Sequence, residues 1–251
     1  MAVYYALVRR ELGSLFASLT GYVIISAVLF LIGFSFTDML ERLNHKEPTD
    51  MPITEMFYQS GVFWLILLLA TPLITMRSFA AEKSTGTFET LVTTPVTDGQ
   101  VVWAKFTSCL IFYLLLWLPT LACILVVRHY ASDTSAFNIG IVVGIYTGIL
   151  LLGALYVAIG CFASSLTRNQ VVAAVLSFVL GMVLFMLCFR FQLDIPQINW
   201  SNQVFAYIAM SEHMQSFVRG TIDTRHVTFY VSLTLCFLFL TLKVVESRRW
   251  K

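Results

Sequence analysis

The sequence predicts an all-α integral membrane protein with about six transmembrane helices, and three observations carry that prediction. Of 251 residues, 58% are hydrophobic and 12% charged, about half the charge of an ordinary soluble domain. Sixteen basic and 14 acidic side chains are too few to cover a water-soluble fold of this size. Six charge-free intervals also reach or approach the roughly 20 residues that a helix rising about 1.5 Å per residue needs to cross a hydrocarbon core of about 30 Å. They run from Leu12 to Thr37, Met56 to Met76, Phe106 to Val127, Thr134 to Thr167, Asn169 to Phe189 and His226 to Leu242. Residues 1–251 read as a single transmembrane domain.

The first element precedes the first span. Val8, Leu12, Leu15, Phe16 and Leu19 recur at helical spacing, with Arg9, Arg10 and Ser14 off the stripe. Residues 3–18 are therefore expected to form an interfacial helix, with Tyr4, Tyr5 and Trp103 at headgroup depth. The competing reading is that this is the end of a long, tilted first span. A cleaved signal peptide is not expected, since the charge-free interval of 26 residues exceeds the apolar region of about 7 to 15 residues found in such signals.

Pro72 and Pro119 are expected to kink the second and third spans. Between these spans lies the longest loop on the side of the termini, residues 77–105. Phe79, Glu82 and Lys83 fit a short helical turn that Gly86 ends with a positive φ. Thr87 then caps a segment placing Phe88, Leu91 and Val92 on one face. Pro95 stops that segment, and Thr97 with Gln100 forms a capping box for the next helix, with Val96 and Val101 as its staple. Periodicity alone leaves two readings of this amphipathic loop, a docking element or a segment resting on lipid headgroups.

In the fourth span Gly140, Gly144 and Gly148 repeat every four residues, with Gly153 and Gly160 beyond, a spacing that lets helix backbones approach closely. Residues 190–226, between the fifth and sixth spans, carry Trp200, Val204, Phe205, Tyr207, Ile208, Met214, Phe217 and Val218, more apolar than a solvated loop. Pro196 marks a turn, Ser201 and Ser211 can cap two short helices, and Gly220 can close the second. Such a pair can be re-entrant or a compact external structure packed on the bundle. The sixth span is the shortest; it starts near Val227 and uses Lys243 and Trp250 as interfacial anchors.

Basic residues set the expected orientation. The side with the termini holds Arg9, Arg10, Arg77, Lys83, Lys105, Arg168, Lys243, Arg248, Arg249 and Lys251, against Arg42, Lys46, Arg128, Arg190, Arg219 and Arg225 opposite. The excess is expected in the cytoplasm, so both termini are expected there.

No catalytic chemistry is indicated. The cysteines at 109, 123, 161, 188 and 236 fall inside spans without a CxxC pair, and the histidines at 45, 129, 213 and 226 form no i, i+4 pair. A phosphate-binding loop and a nucleophile elbow are absent from the sequence. Mid-membrane acids, which hold the coupling ion in many carriers, are nearly absent too. Neither metal, cofactor nor nucleic acid is expected, and the energy source is expected outside this chain.

The segment RSFAAEKSTGTFETLVTTPVTDGQVVWAKF resembles the loop of ABC-2-type permeases, through Arg77, Glu82, Lys83, Gly86, Thr87, Glu89, Leu91, Thr94, Pro95 and Lys105. The resemblance implies a cytoplasmic coupling helix over roughly Phe79 to Val92 that docks into an ABC ATPase subunit. Its implied coupling residues are Phe79, Glu82, Lys83, Gly86, Thr87, Phe88, Glu89, Leu91 and Val92. It also implies short re-entrant helices before the last span, a second permease copy or a related permease or auxiliary subunit, and residence in the lipid bilayer of a bacterial cytoplasmic (inner) membrane. The stretch ELGSLFASLTGYV and the close from His213 to Trp250 resemble the gliding-motility-type branch of that family, with Gly220, Ile222, Asp223, Arg225 and the Arg248, Arg249, Trp250 tail; His226 departs from it where the branch has an acid. The function expected is that of a permease subunit, an exporter powered by a separate ATPase. The alternatives are a non-transporting component that passes ATPase motion to a periplasmic machine, and a stand-alone carrier or channel.

Overall fold

The computed structural model describes residues 2–44, 57–58, 60–86, 97–130, 139–190 and 208–247. In these the chain forms α1 (Ala2–Phe16), α2 (Leu19–Asn44), α3 (Gly61–Thr75), α4 (Ala80–Thr85), α5 (Asp98–Tyr130), α6 (Ile139–Leu166), α7 (Gln170–Arg190), α8 (Met210–Val218) and α9 (Thr224–Ser247). Six stretches among the described residues are long and apolar enough to cross a membrane: α2, α3 continued through residues 76–79 into α4 (Gly61–Thr85), α5, α6, α7 and α9. All six expected spans are therefore present, and six crossings put α1 and the end of α9 on the same side of the bundle. We call this the terminal side.

Burial sorts the spans into an inner and an outer set. Within their most apolar windows α3 and α6 are 67% and 56% buried, whereas α2, α7 and α9 are 28%, 17% and 22% buried. The inner pair is α3 and α6, and α6 packs against α3, α5, α7, α8 and α9. Leu67, Ile74, Tyr113, Trp117, Ile149, Leu152 and Leu155 fill the centre. Tyr22, Phe30, Phe34, Val171, Val175 and Phe239 stay exposed on the outer helices, the outward apolar surface that a lipid solvent favours.

The N-terminal stripe is shorter than its spacing predicts. Val8 is buried and Leu12 and Leu15 are half-buried, but Phe16 and Leu19 are exposed because the helix breaks at Ala17 and Ser18. Ser18 Oγ donates to the Leu15 carbonyl at 3.0 Å and accepts from the Gly21 amide at 3.1 Å. A Cβ on Gly21 would lie 2.1 Å from the Leu15 carbonyl oxygen, so the bend needs glycine there. The helix is thus interrupted between α1 and α2, and α1 lies along α5, with Tyr4 Oη 3.0 Å from Thr107 Oγ1.

The glycines of α6 are spent within the chain. A Cβ on Gly144 would lie 2.3 Å from the Phe217 carbonyl oxygen, and one on Gly148 would lie 2.9 Å from Met214 Sδ. They form the groove that receives α8. Gly153 and Gly160 make room for the Tyr113 ring and for Thr75 in the same way.

α8 corrects one expected cap. Ser211 lies inside the helix, and Ala209 occupies the N-cap with no side-chain bond. The helix starts where its apolar face, Met210, Met214, Phe217 and Val218, begins to bury, and packing outweighs the cap preference. Gly220 closes it with φ 77° as expected. Pro196, Trp200, Ser201, Val204, Phe205 and Tyr207, with the first helix of the expected pair, lie outside the described residues.

Candidate functional site

On the terminal side α3 leaves the bundle through a turn at residues 76–79 that leads into α4. Arg77 Nη1 donates to Thr20 Oγ1 at 2.5 Å, fastening the turn to the start of α2. Ser164, near the end of α6, is fully buried; its Oγ accepts from the Phe79 and Ala80 amides at 3.0 and 3.1 Å and donates to the Met76 carbonyl at 3.2 Å. Lys83 Nζ donates to the Ser165 carbonyl. α4 ends at Gly86, whose φ is 74°, a value that favours glycine because a Cβ would clash with the backbone.

The second half of the site is ionic. Lys105, on the first turns of α5, has its side chain only 3% exposed, and its Nζ lies 2.9 Å from Glu82 Oε2 and 3.3 Å from Glu11 Oε1. It also donates to the Ser78 carbonyl at 2.7 Å and sits 5.3 Å from the centre of the buried Phe79 ring. Arg10 closes the ring of charge, 2.7 Å from Glu11 and 3.2 Å from Glu82, and its hydrogen bond to Glu11 pushes its pKa up. Two cations meet two carboxylates, which offsets the desolvation that a lone buried ammonium would suffer. A cavity of about 30 Å³ beside them is lined by Glu11, Ser14, Arg77, Ser78, Lys105 and Ser108, room for one water.

α5 itself starts at the expected capping box: the Thr97 amide donates to Gln100 Oε1 and the Gln100 amide to Thr97 Oγ1, each at 3.4 Å. The loop stem is thus tied to α1, α2, α5 and α6. No proton or group transfer follows from this arrangement; it can hold segments together and pass displacement between them.

Of the residues expected to couple, Phe79 and Lys83 point into the bundle and are buried, Glu82 belongs to the ionic ring, and Gly86 is exposed. Thr87, Phe88, Glu89, Leu91 and Val92, with Thr94, Pro95 and Val96, lie outside the described residues. Sequence reasoning missed Arg10, Glu11, Ser78, Ser164 and Ser165 as partners of the stem. A serine pair closing an apolar span and a single acid on α1 were visible, but nothing in their spacing says which loop they meet.

A second cluster lies at the other end of α6. His213 of α8 stacks on His226 of α9, ring centres 3.9 Å apart, and its Nδ1 lies 3.3 Å from Tyr230 Oη. Burial, then the neighbouring His226, pushes the His213 pKa down to about 4, against the opposing pull of Asp223. Thirteen positions separate the two histidines in sequence, so no short-range pattern reveals the pair. Among the described residues no group of three or more His, Cys, Asp or Glu could hold a metal.

A family model described as an ABC-2 family transporter protein matches residues 23–219. No curated protein matches the chain at a significant level.

Proposed function

Because the chain belongs to the ABC-2 family of transporter proteins, we propose that it is the membrane-spanning permease subunit of an exporter whose ATP hydrolysis takes place in a separate ABC ATPase subunit. The family and the six apolar helices make it a multi-pass membrane protein of a transport system. The observation that carries the finer reading is the stem: residues 76–86 are held by Ser164, Lys105 and Arg77, so a push on the adjoining loop meets a rigid mount.

In this reading Gly86, Thr87, Phe88, Glu89, Leu91 and Val92 meet the ATPase, while Phe79, Glu82 and Lys83 serve as the inward anchors of the same element. The terminal side faces the cytoplasm of a bacterial inner membrane, supported by ten basic residues against six. A second permease copy or a related subunit completes the path. The gliding-motility-type branch is supported by the likeness of residues 11–23 and 213–250.

Co-purification with the ATPase tests this directly. An apolar anchor buried in a partner's cleft contributes about 2 kcal/mol or more, a rim charge much less. Phe88→Ala is expected to weaken ATPase association with insertion intact, and Glu89→Gln to do so less. Unchanged association in both Phe88→Ala and Phe88→Asp would remove the docking assignment.

A further inference from the structure

Helix α4 has no cap of its own. Its N-cap residue, Phe79, makes no side-chain cap bond, and the first amides of a helix lack intrahelical acceptors. Ser164 Oγ, from a different helix, accepts from Phe79 and Ala80 at 3.0 and 3.1 Å. Lys83 returns the favour at the end of α6 by donating to the Ser165 carbonyl, one of the carbonyls left over where a helix stops. Two helix termini thus satisfy each other's orphan groups, and one turn earlier Gly160 lets Thr75 of α3 press against α6.

The far end of α6 is equally tied. Gly144 and Gly148 seat Phe217 and Met214 of α8 so closely that a Cβ on Gly144 would overlap the Phe217 carbonyl oxygen at 2.3 Å. From Gly144 to Ser164 the helix spans about 30 Å at about 1.5 Å per residue, buried along most of its length.

We propose that Ser164 is a positioning residue, an N-cap supplied in trans, that fastens the loop stem to α6 so that displacement of the stem is carried along α6 to α8 on the opposite side. This rests on the ATPase-coupled reading above. Beside its ties to α1, α2 and α5, the stem is geared by this joint to the central helix, and through the glycine groove to the external one.

Two measurements test it. In the purified chain, hydrogen exchange at the Phe79 and Ala80 amides is expected to quicken about tenfold or more in Ser164→Ala, since both lose a buried acceptor, and to stay slow in Ser164→Thr, which keeps the hydroxyl. In the complex with the ATPase that co-purifies, a reporter cysteine at the exposed Glu212 of α8 is read with an impermeant maleimide, with and without a non-hydrolysable ATP analogue. Wild type and Ser164→Thr are expected to change accessibility with nucleotide; Ser164→Ala is expected to keep the ATPase and lose the change. Should Ser164→Ala not fold, Lys83→Met cuts the other tie of the same joint and is expected to halve the response or more. Unchanged exchange at Phe79 and Ala80, or a full response at Glu212→Cys in Ser164→Ala, overturns the proposal, as does a retained ATPase with no response in wild type. Failure of the wild-type chain to retain any ATPase instead overturns the functional reading and this inference with it.

Discussion

Lys105 shows how one side chain organises a junction. Its ammonium has two carboxylates, a carbonyl and an aromatic face around it while almost wholly removed from solvent. Removing the cation leaves Glu11 and Glu82 facing each other across the gap. Lys105→Met is expected to destabilise the protein by about 2 kcal/mol or more, toward the lower end for a broken buried pair because both acids keep Arg10 and some solvent. Adding Glu82→Gln to Lys105→Met is expected to recover part of that loss; strictly additive losses in denaturant unfolding in detergent would show that the ring is not a coupled unit. His213 gives a pH dependence of known sign. Its folded pKa is about 4 against an ordinary 6.5, so the unfolded chain takes up the proton first as pH falls, and protonation favours unfolding throughout that interval. The groups facing it are His226, Asp223 and Tyr230, of which only Asp223 favours the charged form. Thermal stability is expected to decline between about pH 6.5 and 4, and His213→Gln to flatten that decline; an identical slope in the variant would remove His213 from the account.

At the scale of elements, the same residue type plays opposite parts according to what lies beside it. Gly144 has the Phe217 backbone against it, whereas nothing lies within 4 Å of a Cβ built on Gly13 or Gly33. Gly144→Ala is therefore expected to lift α8 from its groove, seen as faster hydrogen exchange over residues 210–218 and a lower unfolding temperature. Gly13→Ala and Gly33→Ala are expected to be neutral or to stabilise by up to about 1 kcal/mol, the helix preference of alanine over glycine. Equal effects at the three positions would contradict the groove. Backbone oxygen cannot rotate aside as a side chain can, and this separates Gly144 from Gly148, whose nearest neighbour is the flexible end of Met214.

For the whole molecule, six apolar spans and the basic imbalance support a proposed orientation that can be tested. On a cysteine-free background, single cysteines at the exposed Ser84 and Ser247 are expected to label from the cytoplasm only, and one at the exposed Thr224 from outside only. Labelling of Ser84 and Thr224 from the same side would break the topology. The proposed division of labour between subunits makes a further demand: purified without partners, the chain is expected to show no nucleotide-dependent thermal shift, and a saturable shift with ATP would place the energy source in this chain after all.

By itself the sequence determined the solvent, the spans and the local stops. Composition, charge-free length and the chemistry of Gly86, Gly220, Thr97 and Gln100 act within a few residues of chain, and the structure carries each of them. The break at Ser18 and the start of α8 at Met210 were less legible, because packing chose between local preferences that were all acceptable. What only the tertiary structure decided is which distant residues share a joint: Glu11 with Glu82 and Lys105, Ser164 with Phe79, His213 with His226. An apolar helix in lipid has no strong preference for the neighbour it meets, since the bilayer already satisfies its surface. The choice falls to close approach at glycines and to the few polar groups that must find one another at the helix ends, and both depend on how the helices sit in space rather than on their order in the chain.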